Sequence, residues 1–204
     1  MKPISQEKLN SIVKYIFEAG ILSKTPRSGF WFLGTGEQSV AEHIIRTTYI
    51  AYALAYLTPK ADLNKVILMS IFHDLAEGRT SDLNYVHQKY GRLAEKKAIR
   101  DISRKLPFGP DILKVFNEFE KRKSLESLLT KDADNLEFMA SLREEEGRGN
   151  NKARAWAEIA LKRLKTEAGR KIGRLMMAEH PDSWWFKESD QWFVGRKKKD
   201  KKWH

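Results

Sequence analysis

Apolar residues recur along most of the chain at the three- and four-residue intervals of an amphipathic helix, and no segment of useful length alternates as a half-buried strand would. The spacing first appears at Leu9, Ile12, Val13, Ile16 and Phe17, with Gly20 as the stop. It continues over residues 39–57, 62–78, 88–105, 111–122, 125–146 and 151–177. The pattern therefore predicts an all-α fold.

Local signals predict where some of these helices begin. Ser39 and Glu42 have the spacing of a capping box, so we interpret Glu42 as a capping residue rather than a catalytic one. Pro110 suits the first turn of the helix over 111–122. Residues 24–38 hold Pro26, several glycines and a run of aromatic residues, and we expect them to form an ordered loop.

The length of 204 residues suits one domain. We expect a single-domain helical bundle over residues 1–180 and a Trp-rich, basic extension over 181–204, whose last residues are flexible. The aromatic residues of the extension, such as Trp184 and Trp192, are expected to dock on the bundle. No apolar run approaches the ~18 residues of a membrane span, and the start lacks the apolar stretch of a signal peptide. We therefore expect a cytoplasmic protein with no membrane partner.

The net charge of +11 is concentrated towards the C-terminal end. Residues 148–204 hold 16 Lys and Arg against 7 Asp and Glu, whereas residues 1–147 hold 22 against 20. A basic segment of this kind is a candidate nucleic-acid-binding face. We favour the simpler interpretation, a solvated amphipathic helix that covers Trp156, Ile159 and Leu164.

The chain has no cysteine, so disulfides, thiolate metal sites and a cysteine nucleophile are excluded. Any metal must be held by His and carboxylates. His73 and Asp74 directly follow an apolar helical run, and His43 and Asp134 lie in other largely apolar helices, where an unpaired ionisable group is costly to bury. Glu77 lies one turn after His73, within reach of a metal-bound water.

These residues also have simpler interpretations. An interior His is more often a hydrogen-bonded core residue than a ligand, and we interpret Asp132 as a solvated helix carboxylate. Spacing alone therefore leaves the metal site open. If the site exists, two His with two carboxylates favour Mn, Fe, Co, Ni or Zn over Ca or Mg.

Three motifs in order carry a resemblance to a known family. They are SVAEH at 39–43, FHDLAE at 72–77 and KDADNLEF at 131–138. On an all-helical chain, this series resembles the H…HD…D pattern of the HD-domain metal-dependent phosphohydrolase superfamily. The segments PRSGFW at 26–31 and SDL at 81–83 are similar to its branch of small 5′-deoxynucleotidases. The resemblance spans roughly residues 10–145, and it implies a helical bundle of the HD-domain type.

The resemblance also implies roles for individual residues. One divalent metal ion would be bound by His43, His73, Asp74 and Asp134. Glu77 and Asp82 would serve the attacking water or the leaving group. Arg27, with Phe30 or Trp31, would lie beside the nucleotide. The implied reaction is hydrolysis of deoxyribonucleoside 5′-monophosphates to deoxynucleoside and phosphate, and the implied assembly is a homodimer.

Two alternatives stay open at this point. Within the superfamily, the substrate could be another nucleotide phosphate ester, such as a nucleoside triphosphate, a cyclic nucleotide or an alarmone. Outside it, the protein could be a basic helical module that binds nucleic acid through residues 148–204. The preference for deoxyribose rests on the resemblance alone.

Overall fold

The computed structural model describes residues 4–187, and they form a single helical bundle, which confirms the predicted fold class. The helices are α1 (Gln6–Ala19), α2 (Gly29–Leu33), α3 (Val40–Tyr56), α4 (Leu63–Phe72), α5 (Glu77–Thr80), α6 (Glu95–Ser103), α7 (Gly109–Lys121), α8 (Leu125–Gly147), α9 (Asn151–Arg163) and α10 (Glu167–Ala178). Short 3-10 turns cover Gly20–Lys24 and His87–Lys89. Within the described residues there is no β-strand, only an isolated bridge between Pro26 and Ser39.

Helix α8 is the centre of the bundle, because it contacts α3, α4, α7, α9 and α10. Apolar side chains on several of its faces are fully buried: Leu129, Ala133, Leu136, Met139 and Leu142. Burial of this apolar area supplies much of the driving force for packing the surrounding helices. Any ionisable side chain of α8 that points into the bundle therefore needs a partner.

The predicted capping box begins α3. The Ser39 hydroxyl accepts a hydrogen bond from the Glu42 backbone N–H at 3.2 Å, and the Glu42 carboxylate accepts one from the Ser39 backbone N–H at 2.6 Å. Two amide groups at the helix start are satisfied in this way. The interpretation of Glu42 as a capping residue is confirmed, and its pKa is lowered by these bonds from Ser39.

Helix α4 ends earlier than its apolar pattern predicts. It stops at Phe72 instead of continuing to residue 78, and His73 is its C-cap. The following turn is tightened by bonds from the Leu75 N–H to the Phe72 carbonyl and from the Glu77 N–H to the Asp74 carbonyl. Because Leu75 is buried in the core, the turn is anchored while the residues before it face the interior of the bundle.

The predicted helix over 151–177 is in fact two helices. The Asp132 carboxylate accepts hydrogen bonds from the backbone N–H groups of Lys165 and Thr166, at 2.8 and 2.7 Å, and from the Thr166 hydroxyl at 2.7 Å. These bonds hold the chain in an extended turn between α9 and α10. The expectation that Asp132 is solvated is wrong, because this residue is fully buried.

Two further segments differ from the sequence-based expectation. Residues Gly29–Leu33, within the predicted loop 24–38, form the short helix α2, anchored by buried Phe30 and Leu33. The predicted helix over 88–105 begins only at Glu95. Residues 88–92 are exposed, so no buried face anchors a longer helix there.

The described part of the C-terminal extension ends at residue 187. The Trp184 side chain is 84% exposed, which contradicts the expectation that it docks on the bundle. Trp192, Phe193 and the Lys-rich end lie outside the described residues, and the boundary at residue 180 stays a prediction. In residues 4–187, no helix is both long and apolar enough to cross a membrane.

Candidate metal centre

Four side chains from three parts of the bundle bring donor atoms together. His43 comes from α3, His73 from the C-cap of α4, Asp74 from the turn that follows, and Asp134 from α8. The Nε2 atom of His43 lies 3.4 Å from Nε2 of His73, from Oδ2 of Asp74 and from Oδ1 of Asp134. The Nε2 atom of His73 lies 3.1 Å from the same Asp74 oxygen. Ligands ~2.1 Å from a shared ion are separated by distances of this order.

The outer nitrogens of both imidazoles are held by acceptors. Nδ1 of His43 lies 2.6 Å from Oε2 of Glu137, and Nδ1 of His73 lies 2.9 Å from the Ser70 carbonyl oxygen. When the rings are neutral, each Nδ1 therefore carries the proton, and each Nε2 presents a lone pair to the shared centre. This tautomer is the one that a metal-ligating histidine needs. The donor set and its orientation fit a divalent ion.

The charges of the two ligand-type carboxyls also fit a cation. In the absence of an ion, burial raises the pKa of Asp74, but the charge and hydrogen bond of the His73 imidazolium outweigh burial and hold this pKa below its usual value. Burial also raises the pKa of Asp134, but the charge of Lys131 and a hydrogen bond from His43 outweigh burial, so this pKa lies well below its usual value. Both side chains are carboxylates at neutral pH, ready to bind a positive ion.

Glu137 belongs to the centre although the motif analysis gave it no role. Its fully buried carboxylate contacts His43 and also accepts hydrogen bonds from Arg46 at 2.8 Å and Gln38 at 2.6 Å. Burial raises its pKa, but the hydrogen bond and charge of His43 and the charge of Arg46 lower it to about 2. Its position three residues after Asp134, on the same face of α8, is the signal that could have identified it.

Glu77 differs from the other acids of the centre. Its Oε2 atom is buried and makes no hydrogen bond with any described residue. Burial and the charges of Asp74 and Asp82 raise the pKa of Glu77 to about 11. The carboxyl group therefore keeps its proton at neutral pH in the absence of a cation. A protonated acid beside a metal-type donor set is suited to proton transfer.

Arg27 lies between two carboxylates. Its Nη1 atom lies 3.4 Å from Oδ2 of Asp74, and its Nε atom lies 3.7 Å from Oδ2 of Asp82. Burial opposes its charge, but the carboxylates of Asp74 and Asp82 raise the pKa of Arg27. Asp82 in turn accepts a hydrogen bond from the Ser28 backbone N–H at 3.1 Å. The predicted Arg27 and Asp82 are thus brought to the centre by direct contact.

The centre opens into a cleft of about 700 Å³. Its walls include the predicted residues Arg27, Phe30, Asp74, Glu77, Asp82 and Asp134, and four cations without a predicted role in the cleft: Arg122, Lys131, Arg163 and Lys165. A cavity of this size accommodates a nucleotide-sized ligand. Trp31 is not brought to this cleft: it is 62% exposed and faces His87, with ring centroids 6.3 Å apart.

The model of an HD-domain family matches residues 19–176, which is most of the chain. The chain belongs to the HD-domain family. The family assignment made from the motifs at 39–43, 72–77 and 131–138 is thereby confirmed. In this HD domain, the His43, His73 and Asp134 ligand atoms all lie within 4.8 Å of one another and form a possible metal site.

Individual relatives agree with this assignment. The HD domain is 25% identical over 144 residues to the 5′-deoxynucleotidase HDDC2 of Danio rerio, covering 68% of this chain and 71% of that protein. A conserved hypothetical protein from Pyrococcus furiosus is 29% identical, with a TM-score of 0.71 over 82% of this chain and 99% of that one. An HD-domain phosphohydrolase from Listeria innocua has a TM-score of 0.60 at 21% identity, covering 82% and 89%, a likeness of fold.

Proposed function

We propose that this HD-domain phosphohydrolase hydrolyses nucleoside 5′-monophosphates, with a preference for 2′-deoxyribonucleotides, to nucleoside and phosphate. The observation that carries the proposal is the convergence of two imidazoles and two carboxylates at one centre, which opens through Asp74, Asp134 and Glu77 into a nucleotide-sized cleft. The deoxyribose preference has a narrower basis. It is supported by the motif resemblance and by the similarity to the Danio rerio 5′-deoxynucleotidase.

The proposed ligands of one divalent ion are His43, His73, Asp74 and Asp134. The candidate ions are Mn, Co, Fe, Ni and Zn, because imidazole nitrogen with carboxylate oxygen suits borderline transition ions. Such an ion, when bound, neutralises phosphate charge and lowers the pKa of water. Glu137 and the Ser70 carbonyl hold the two imidazoles in the tautomer that the site requires.

Glu77 is the proposed proton carrier. In the reaction, a water oxygen forms a bond to phosphorus, the bond from phosphorus to the 5′-oxygen breaks, and a proton moves to that oxygen. The Glu77 carboxyl group, whose buried Oε2 atom has no hydrogen-bond partner among the described residues, is placed to donate this proton or to exchange a proton with the attacking water. Asp82 supports the step by holding Arg27 and by its charge, which raises the pKa of Glu77.

Two residues are proposed to contact the substrate: Arg27, which lies just before α2, and Phe30, which lies in α2. Arg27 places a positive charge in the cleft beside the donor set. Phe30 lines the cleft and is suited to pack against the sugar or the base. Since Phe30 lines the cleft and Trp31 does not, Phe30 is the better candidate of the pair.

The test is phosphate release from matched ribo- and deoxyribonucleoside 5′-monophosphates by protein reconstituted separately with Mn, Co, Fe, Ni and Zn. We expect release with at least one ion and faster release from deoxyribonucleotides. His73→Ala should lose both bound metal and turnover, whereas His180→Ala, at an exposed position, should lose neither. Absence of release with every ion would contradict the hydrolase proposal. Equal rates of release from ribo- and deoxyribonucleotides would contradict only the proposed deoxyribose preference.

One observation favours a second candidate substrate. Four cations, Arg122, Lys131, Arg163 and Lys165, line the cleft besides Arg27, and of these four only Lys131 pairs with a carboxylate of the centre, Asp134. A nucleotide with several phosphates, such as a nucleoside triphosphate or an alarmone, would match that charge better. The same assay with these substrates and a cyclic nucleotide decides between the candidates, through the ratio of their kcat/KM values.

The homodimer belongs to the same proposal. Large exposed side chains lie along one face of α3 at helical spacing: Ile45, Tyr49, Tyr52 and Tyr56. Such a face is typical of a protein interface. The mass in solution, compared between the wild-type protein and Tyr49→Lys, tests this proposal, since a dimer through α3 would dissociate.

Nucleic-acid binding remains the less favoured alternative. Part of the basic charge after residue 147 is neutralised within the chain, because Arg148 pairs with Glu145, and Arg154 pairs with Glu146 and Glu158. The simpler interpretation is a solvated amphipathic helix that covers apolar residues. It holds only in part, since Leu164 is buried but Ile159 is half exposed. Salt-sensitive binding of an oligonucleotide by His73→Ala would favour this alternative.

A further inference from the structure

Arg122, in the turn between α7 and α8, has a backbone conformation that non-glycine residues seldom adopt. It is the C-cap of α7, with φ +50° and ψ +38°, and its N–H donates to the Phe119 carbonyl. A side chain with a β-carbon is disfavoured in this left-handed region, where glycine is the usual residue. An arginine there needs a reason beyond ending the helix.

The side chain of Arg122 is directed towards the metal-type centre. Its guanidinium lies over the Phe119 ring, with Cζ 3.3 Å from the ring centroid. Phe119 packs edge-on against the His73 imidazole, with centroids 5.3 Å apart. Arg122 also lines the cleft together with Asp74, Glu77 and Asp134. One aromatic ring therefore links this guanidinium to a proposed metal ligand.

The hydrogen-bonding capacity of Arg122 is largely unused. Its Nη1 atom is buried and makes no hydrogen bond with any described residue. Its Nη2 atom lies 3.8 Å from Oε1 of Glu120, which is too long for a hydrogen bond. Burial lowers the pKa of Arg122, and the nearby carboxylates only partly offset this. A partly buried guanidinium with free donors is costly unless an anion completes it.

Arg27 shows the opposite state in the same cleft. It lies between Asp74 and Asp82, so its charge is already compensated by the chain itself. Of these two arginines beside the donor set, Arg122 is the one with free donors. The flat guanidinium fork matches two oxygens of a phosphoryl group.

We propose that Arg122 is a further substrate-binding residue, which donates hydrogen bonds to the phosphoryl oxygens alongside Arg27. This inference rests on the proposed function, because it takes the phosphate ester as the ligand of the cleft. The ligand class is a phosphoryl group carried by a nucleotide or released as inorganic phosphate. The competing explanation is that Arg122 only ends α7 and covers Phe119.

Arg122→Gly separates the two explanations, because glycine fits the left-handed backbone but lacks the guanidinium. We expect unchanged metal content, a melting temperature no lower than that of the wild-type protein, and a Kd for inorganic phosphate raised about 10- to 100-fold, as for loss of charge-assisted hydrogen bonds. Arg122→Lys keeps the charge without the guanidinium fork, so its Kd for phosphate should lie between those of the wild-type protein and Arg122→Gly. Lys123→Ala, at the exposed neighbouring position, is the matched control and should bind phosphate normally.

The measurement is calorimetric titration of the metal-loaded full chain with inorganic phosphate, together with KM for a nucleoside monophosphate. A Kd and KM within twofold of wild type in Arg122→Gly would overturn the proposal, as would failure of the wild-type protein to bind phosphate. Phosphate binding is read without turnover, so the two proposals fail separately. Arg122-dependent phosphate binding without hydrolysis of any nucleotide would support this inference and contradict the proposed function.

Discussion

Nδ1 of His43 lies 2.6 Å from Oε2 of Glu137, and neither side chain is exposed to solvent. The carboxylate is in turn held by Arg46 and Gln38, so the imidazole has a fixed orientation and a fixed tautomer. The Nε2 atom of His43 is thereby held towards the other three donors. This pair prepares the site for metal binding.

Glu137→Gln should weaken metal binding about 10- to 100-fold, the usual effect of losing a carboxylate behind a ligating histidine. The amide keeps the volume but removes the charge that fixes the His43 tautomer. Metal affinity by competition with a chelator is the measurement. Glu144→Gln makes the same change at the other carboxylate that pairs with Arg46, and its affinity should be unchanged. Equal affinities of wild type and Glu137→Gln would contradict the role of Glu137.

Glu77→Gln should lower kcat about 10²- to 10⁴-fold, the range that a general acid or base contributes. Bound metal should stay at the wild-type level, because Glu77 is not among the proposed ligands. Elemental analysis and steady-state kinetics check both outcomes together. The exposed Glu167→Gln is the control. A variant that lost metal instead of rate would show that Glu77 is a ligand.

Removal of metal should lower the melting temperature. An ion that binds only the folded bundle stabilises it, by about 4 kcal/mol at a free concentration one thousand times its Kd. The effect should be strong because two carboxylates are held close to the same centre. Thermal unfolding with and without a chelator is the measurement. The melting temperature of His73→Ala should be the same in both conditions. An unchanged wild-type transition would speak against a metal in this centre.

Asp132 and Gly169 should show coupled effects on stability. Asp132→Ala removes several hydrogen bonds at the start of α10, and we expect a loss of about 2–4 kcal/mol. Gly169→Ala should also destabilise, because its new Cβ would lie 2.4 Å from Oδ2 of Asp132. In urea unfolding, the second change should cost less in the Asp132→Ala background. Strict additivity would contradict this account of the turn.

Features set by neighbouring residues could be predicted from the sequence. The capping box of Ser39 and Glu42 needs only its own four residues, and the helical period reports burial along one helix at a time. The end of α4 and the break before α10 could not be predicted. The first depends on how Leu75 packs in the core, and the second depends on Asp132, more than thirty residues earlier in the chain.

The residues of the metal-type centre likewise include some that could be predicted from the sequence and some that could not. The ordered motifs identified His43, His73, Asp74 and Asp134, and the structure brings their donor atoms together. Glu137 and Arg122 have no role in the motifs, because what distinguishes them is a partner or a free donor in three dimensions. Phe30 and Trp31 are adjacent in sequence, and only the orientation of α2 separates their surroundings.

The donors of the proposed metal site come from α3, from the end of α4 with the turn after it, and from α8, so they meet only when these three helices are correctly packed. If the site binds an ion as proposed, the amount of ion bound per chain is a direct gauge of tertiary assembly. A distant substitution that loosens α8 should release the ion while circular dichroism still records full helix content. Metal stoichiometry would thus detect damaged packing before helix loss does.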